Sequence, residues 1–188
     1  MGEGDRAKWD EKYRAGAGEG LVAPAWLDEV AGELPAGGRA LDLAAGRGRI
    51  ALWLARRGFA VTAVDVSPVG LRAAGAAARG EGLSLATRVL DLEEERLPPG
   101  PFDAVTCFRY RQPSLWASAR AALAPGGVLV AETATLRNLS RHDKPPAPFL
   151  LEPNELLRAA GDLFVAYYRE GWLGDYHLAR LVARREGR

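Results

Sequence analysis

The stretch Arg39–Asp65, RALDLAAGRGRIALWLARRGFAVTAVD, decides the fold. It reads as strand, glycine turn, helix, strand and acidic residue. Ala40, Leu41, Leu43 and Ala44 form a short apolar run around Asp42, as expected of a strand buried on both faces. Gly46 and Gly48 follow at once, where glycine permits positive φ and a close approach of backbone to a ligand. Ile50, Trp53 and Leu54 recur at helical spacing, Arg56 and Arg57 suit the negative end of the helix dipole, and Gly58 stops the helix. The run from Ala60 to Val64 predicts a second strand ending on Asp65. A carboxylate there can accept two hydrogen bonds from a ribose diol at the carboxyl edge of a parallel sheet. The pattern points to a nucleoside cofactor, with Asp65 expected in a solvent-open cleft.

Upstream, residues 5–15 read as a polar helix with Trp9 and Tyr13 on one face, followed by a glycine joint at Gly16, Gly18 and Gly20. Two readings stand there: packing on the domain surface, or a lid made by residues 1–20. Ala25–Leu34 carries Trp26, Leu27, Val30 and Leu34 at the spacing of an amphipathic helix.

Downstream, Ser67 and Pro68 supply an N-cap and a first helical residue for a helix to about Gly80. Leu83–Leu90, Asp103–Phe108 and Val128–Glu132 read as further strands, and Ser114–Leu123 as a helix ended by Pro125-Gly126-Gly127. Strand and helix alternate, which predicts an α/β fold with a doubly wound, mainly parallel sheet. The tail departs from that rhythm. Leu136–Pro148 is a polar, proline-rich loop, Glu155–Ala160 a short helix, and Phe164–Trp172 and His177–Arg184 two strands joined through Leu173-Gly174-Asp175. So short a connection cannot hold a crossover, so these strands form an antiparallel hairpin and bring the sheet to seven strands.

The 188 residues suit one domain, and a net charge of +1 gives no reason to expect a nucleic-acid or membrane partner. No stretch approaches the ~20 apolar residues of a membrane span. A single cysteine, Cys107, excludes an internal disulfide, and the charged N-terminus lacks the apolar core of a secretory signal. A cytoplasmic protein with no metal site is the expectation.

The set Leu41-Asp42-Leu43-Ala44-Ala45-Gly46-Arg47-Gly48, Asp65, Asp91, Phe102-Asp103-Ala104-Val105, Pro125-Gly126-Gly127 and the terminal hairpin resembles the class I methyltransferases that use S-adenosyl-L-methionine. Thr87-Arg88-Val89-Leu90-Asp91-Leu92, the run Pro148–Leu156 and the closing Leu181-Val182-Ala183-Arg184 look like the tellurite-resistance group and its small-molecule relatives. The resemblance implies that the backbone at Ala44, Gly46 and Gly48 lines the methionine part of the donor. Ala45 stands where close relatives often carry cysteine, and keeps a small residue beside the donor. Asp42 would orient the amino group, Asp65 would take the ribose hydroxyls, and Val66 would pack on adenine. Asp91 and Leu92 would read the adenine edge, Cys107 and Phe108 would face the reactive methyl, and Trp9 and Tyr13 would close over it. Arg109 and His177 are the candidates for contact with a small-molecule acceptor, envisaged as a thiol or an oxyanion such as tellurite. A soft nucleophile of that kind needs no general base, and none stands out in the sequence.

Two other functions compete. Gly46, Gly48 and Ala51 with Asp65 also satisfy a dinucleotide fingerprint, which would suit an NAD-dependent oxidoreductase. The short length, the hairpin and the absence of lysine between positions 13 and 143 count against it. The other alternative is a cofactor-binding module without catalysis.

Overall fold

A computed structural model describes residues 3–20 and 22–187. The elements are α1 (Glu3–Arg14), α2 (Trp26–Glu29), β1 (Gly38–Leu43), α3 (Arg49–Arg56), β2 (Phe59–Asp65), α4 (Pro68–Gly80) and β3 (Leu85–Val89). They continue with β4 (Phe102–Phe108), α5 (Leu115–Ala121), β5 (Leu123–Ala134), α6 (Glu155–Ala159), β6 (Phe164–Leu173) and β7 (Tyr176–Arg184). The strands form one sheet in the order β3-β2-β1-β4-β5-β7-β6. β1 to β5 run parallel, while β7 pairs antiparallel with both β5 and β6. The fold is the α/β Rossmann-like methyltransferase architecture that the sequence predicts.

Alternation along each strand builds two cores. Leu41, Leu43, Val105, Cys107, Leu129 and Leu181 point to the face covered by Trp116 of α5 and Leu156 of α6. Ala40, Ala104, Val128, Val130 and Val182 point to the other, with Trp26, Ile50, Trp53 and Leu71. This two-sided burial is why the parallel strands read as nearly continuous apolar runs. The chain reverses its direction of travel across the sheet between β1 and β4. Ligands bind at such a point in open α/β sheets, outside the carboxyl ends of the strands.

Local signals place most boundaries. Ser67 caps α4 by accepting the N–H of Gly70 at 3.1 Å, with Pro68 behind it. Three expectations are revised. The helix over 25–34 breaks into α2 and a 3-10 turn at Ala31–Glu33, although Trp26, Leu27, Val30 and Leu34 all stay buried. The fifth strand begins at Leu123, because Phe102 pairs with Leu123 and the register then shifts past Pro125-Gly126-Gly127. The loop over 136–148 contains the 3-10 turns Leu136–Ser140 and Ala147–Phe149. No helix among the described residues is long and apolar enough to cross a membrane.

Candidate active site

The site begins at the turn after β1. Ala44, Gly46 and Gly48 adopt φ of 53°, 55° and 83°, and these left-handed residues bring the chain from β1 into α3. The Gly46 N–H donates to Asp65 Oδ2 at 2.8 Å, and the Ser67 N–H donates to Oδ1 at the same distance. The carboxylate at the end of β2 therefore fastens the glycine turn to the start of α4. Asp65 is only 5% exposed, which corrects the open-cleft expectation. Burial raises its pKa above the ordinary range, and the two N–H groups oppose that rise.

Helix α1 lies over this turn. Trp9 and Tyr13 stack with ring centroids 5.6 Å apart. The Asp10 carboxylate accepts the Ser67 hydroxyl, and Arg47 Nη1 donates to the Tyr13 carbonyl at 3.0 Å. Gly46 must lack a side chain here, since a Cβ would come within 2.6 Å of the Tyr13 hydroxyl. Burial and the nearby Asp65 carboxylate push the Tyr13 phenol pKa up.

Between α1 and the carboxyl ends of β1, β2 and β4 lies a cavity of about 250 Å³. Its walls include nine residues singled out from the sequence: Trp9, Tyr13, Ala44, Ala45, Gly46, Asp65, Val66, Phe108 and Arg109. Arg47 and Arg49 join them unforeseen, and Tyr110 follows Arg109 into the wall. The two arginines occupy the variable positions of the glycine turn, so their charge was a signal available in the sequence. The Tyr110 hydroxyl is buried without a hydrogen-bond partner in the structure.

Six expected contacts fall outside the cavity walls. Asp42 lies beneath the turn, 1% exposed, with Oδ1 accepting the Thr106 hydroxyl at 2.7 Å and Oδ2 without a partner in the structure. Burial pushes its pKa up to about 7. Gly48 spaces α3 from α4, since a Cβ there would meet the Ala74 Cβ at 2.6 Å. Cys107 is fully buried in the α5 core, pointing away from the cavity, because it alternates with Phe108, which faces the other way. Leu92 is buried in that same core, and Asp91 sits on the loop after β3, its Oδ1 accepting the Glu93 N–H at 3.0 Å. His177 is 5% exposed, its Nδ1 is 2.7 Å from the Thr135 hydroxyl, and its backbone exchanges hydrogen bonds with the Asn138 amide. Its imidazole is part of the packing between β7 and the turn after β5.

Residues 40–127 match the family model described as a methyltransferase domain. Residues 40–127 thus resemble the domain of the class I methyltransferases. It is 35% identical over 135 residues to a ubiquinone biosynthesis O-methyltransferase of Xanthomonas axonopodis pv. citri, covering 68% of this chain and 53% of that relative. The chain thus spans about half the length of that protein. Among solved structures, TehB from Haemophilus influenzae superposes with a TM-score of 0.73 at 20% identity, covering 95% of this chain and 67% of TehB. Magnesium protoporphyrin IX methyltransferase from Synechocystis, with bound SAH, gives 0.70 at 17%, covering 97% and 98%.

The cofactor of this family is S-adenosyl-L-methionine, and the cavity has the chemistry to take it. Asp65 uses two of about four lone-pair sites, leaving capacity for a ribose diol. Trp9, Tyr13 and Phe108 offer aromatic faces to a sulfonium cation. The unpartnered Tyr110 hydroxyl offers a polar contact. The volume is below the roughly 300–1,000 Å³ usual for pockets that enclose small molecules. The reason is that Tyr13 rests on Gly46 and Gly70.

Proposed function

We propose that this methyltransferase moves a methyl group from S-adenosyl-L-methionine to a small-molecule acceptor. The observation that carries the reading is the cavity at the switch point, walled by the glycine turn and by the carboxylate that holds it. The methyltransferase-domain match over the same residues supports it. The backbone of Ala44, Ala45 and Gly46 holds the methionine part of the donor, Asp65 its ribose, and Val66 packs against the base. When bound, the donor supplies an activated methyl on a sulfonium. The protein's own task is then alignment, which for a well-placed pair is worth ~7–11 kcal/mol of the barrier.

Helix α1 acts as a lid in this reading. Tyr13 fills the space over Gly46, so donor entry requires α1 to shift away from α4 and then to reclose. Closing excludes water from the transfer path.

Arg109 meets the acceptor at the carboxyl end of β4. The cavity walls include no histidine, and their single carboxylate, Asp65, is already fastened to two N–H groups. An acceptor that is already a good nucleophile at neutral pH, such as a thiolate or a soft oxyanion, suits walls without a free base. The O-methyltransferase relative makes an oxygen nucleophile the competing acceptor.

Titration calorimetry with S-adenosylmethionine, S-adenosylhomocysteine and NAD tests the donor. Binding of the first two and not of NAD is expected, and the reverse pattern overturns the assignment. Mass spectrometry of thiol, tellurite and catechol acceptors after incubation with the donor then separates the acceptor classes. Absence of any transfer, with donor binding intact, would favour a binding module.

A further inference from the structure

The cavity holds three arginines, Arg47, Arg49 and Arg109, against one carboxylate. Arg47 is engaged with the Tyr13 carbonyl. The guanidinium groups of Arg49 and Arg109 have no hydrogen-bond or ion-pair partner among the described residues. The two acids that act on Arg49 across space are engaged elsewhere. Glu132 is 2.8 Å from Arg180 Nε, and Asp42 is turned to Thr106. Arg49 is partly buried, and both that burial and the facing Arg109 charge pull its pKa down, while Glu132 and Asp42 oppose the fall.

The backbone also works to hold Arg109 there. It takes φ 56°, a left-handed conformation that is strained for a non-glycine residue. Its N–H donates to the Glu132 carbonyl at 2.8 Å, which fixes the bend. Strain at that residue, two like charges facing each other, and unused donors on both make a consistent set. A planar fork of N–H donors matches the two oxygens of a carboxylate or a related oxyanion.

We propose that Arg49 and Arg109 form an anion clamp in the wall of the cavity, taking a carboxylate or other oxyanion between them. The assignment rests on the reading of this cavity as the methyl-transfer site and deepens it. The anion has two possible sources, the amino-acid end of the donor or an anionic group on the acceptor.

The test uses the whole chain, with Arg49→Gln and Arg109→Gln each compared with wild type by titration calorimetry at constant low ionic strength. The probes are S-adenosylhomocysteine, methylthioadenosine (which lacks the amino-acid end) and inorganic sulfate, the last added with and without S-adenosylhomocysteine. Losing a charged hydrogen-bond partner corresponds to a roughly ten- to hundredfold fall in affinity. If the donor is the source, both variants lose that much for S-adenosylhomocysteine and nothing for methylthioadenosine. If the acceptor is the source, nucleoside binding is unchanged and sulfate binding to the S-adenosylhomocysteine complex is lost in both variants. Variants that match wild type with every probe, at unchanged melting temperature, overturn the clamp while leaving the donor site standing. If wild type binds neither nucleoside, the donor reading fails, and sulfate binding to the free protein still decides the clamp. Arg109→Gln is the safeguard against misfolding, because Arg109 is exposed.

Discussion

Replacing Asp65 with alanine probes how the site is held together before any ligand arrives. Both carboxylate oxygens accept backbone N–H groups at 2.8 Å, one from the glycine turn and one from the start of α4. Alanine leaves the Gly46 and Ser67 N–H groups without those acceptors. Bonds to a charged acceptor contribute about 1.5–3 kcal/mol each, so the gross loss is about 3–6 kcal/mol. Two effects offset it. The raised pKa shows that burial already penalises the carboxylate, and that penalty vanishes with the side chain. Water can also enter the vacated space and bond one N–H. A net loss of about 2 kcal/mol is expected, which for a chain of this size lowers Tm by about 4–8 °C. Scanning calorimetry without ligand reads this directly, and titration with S-adenosylmethionine reads the accompanying loss of affinity. Asp65→Asn fares no better than alanine, because its amide NH2 faces one of the same N–H donors. A Tm within about 1 °C of wild type, alongside a tenfold loss of donor affinity, would refute the argument that Asp65 staples the turn.

Asp42 carries the pH prediction. Its pKa is raised from 3.8 to about 7, so the folded protein binds more protons than the unfolded chain between those values, and this group's contribution to stability falls as pH rises through that window. Asp42→Asn, which keeps an oxygen for Thr106, should therefore melt higher than wild type at pH 8 and level with it near pH 4; the opposite trend in paired melts refutes the assignment. Deleting residues 1–15 should lower both donor affinity and turnover, since Trp9, Tyr13 and the Asp10–Ser67 contact go with them; unchanged titrations and rates would leave α1 as surface packing. His177→Ala should leave the acceptor KM unchanged and lower Tm, because the ring is bonded to Thr135 and buried. A raised KM at unaltered Tm would restore the acceptor-facing role.

What the chain order alone determined is everything that depends on neighbours in sequence. Apolar patterning bounded by glycine, proline or a capping serine marks β1, β2, α3 and α4. The two-residue link Gly174-Asp175 forces β6 and β7 to be antiparallel. Asp65 was legible for the same reason, since it ends the strand that follows the glycine turn. Tertiary structure decided which side of the sheet each side chain takes and what meets it there. Asp42 and Cys107 sit on the right strands near the right ends, yet one lies under the turn and the other in the α5 core. Period-two alternation separates the two faces of a strand but does not say which one borders the cavity. Arg49 and Arg109 are 60 positions apart, and their charges face each other only because β4 inserts beside β1 at the point where the strand order reverses. The same insertion leaves His177 outside, on an antiparallel strand beyond β5, where it packs against Thr135 and Asn138.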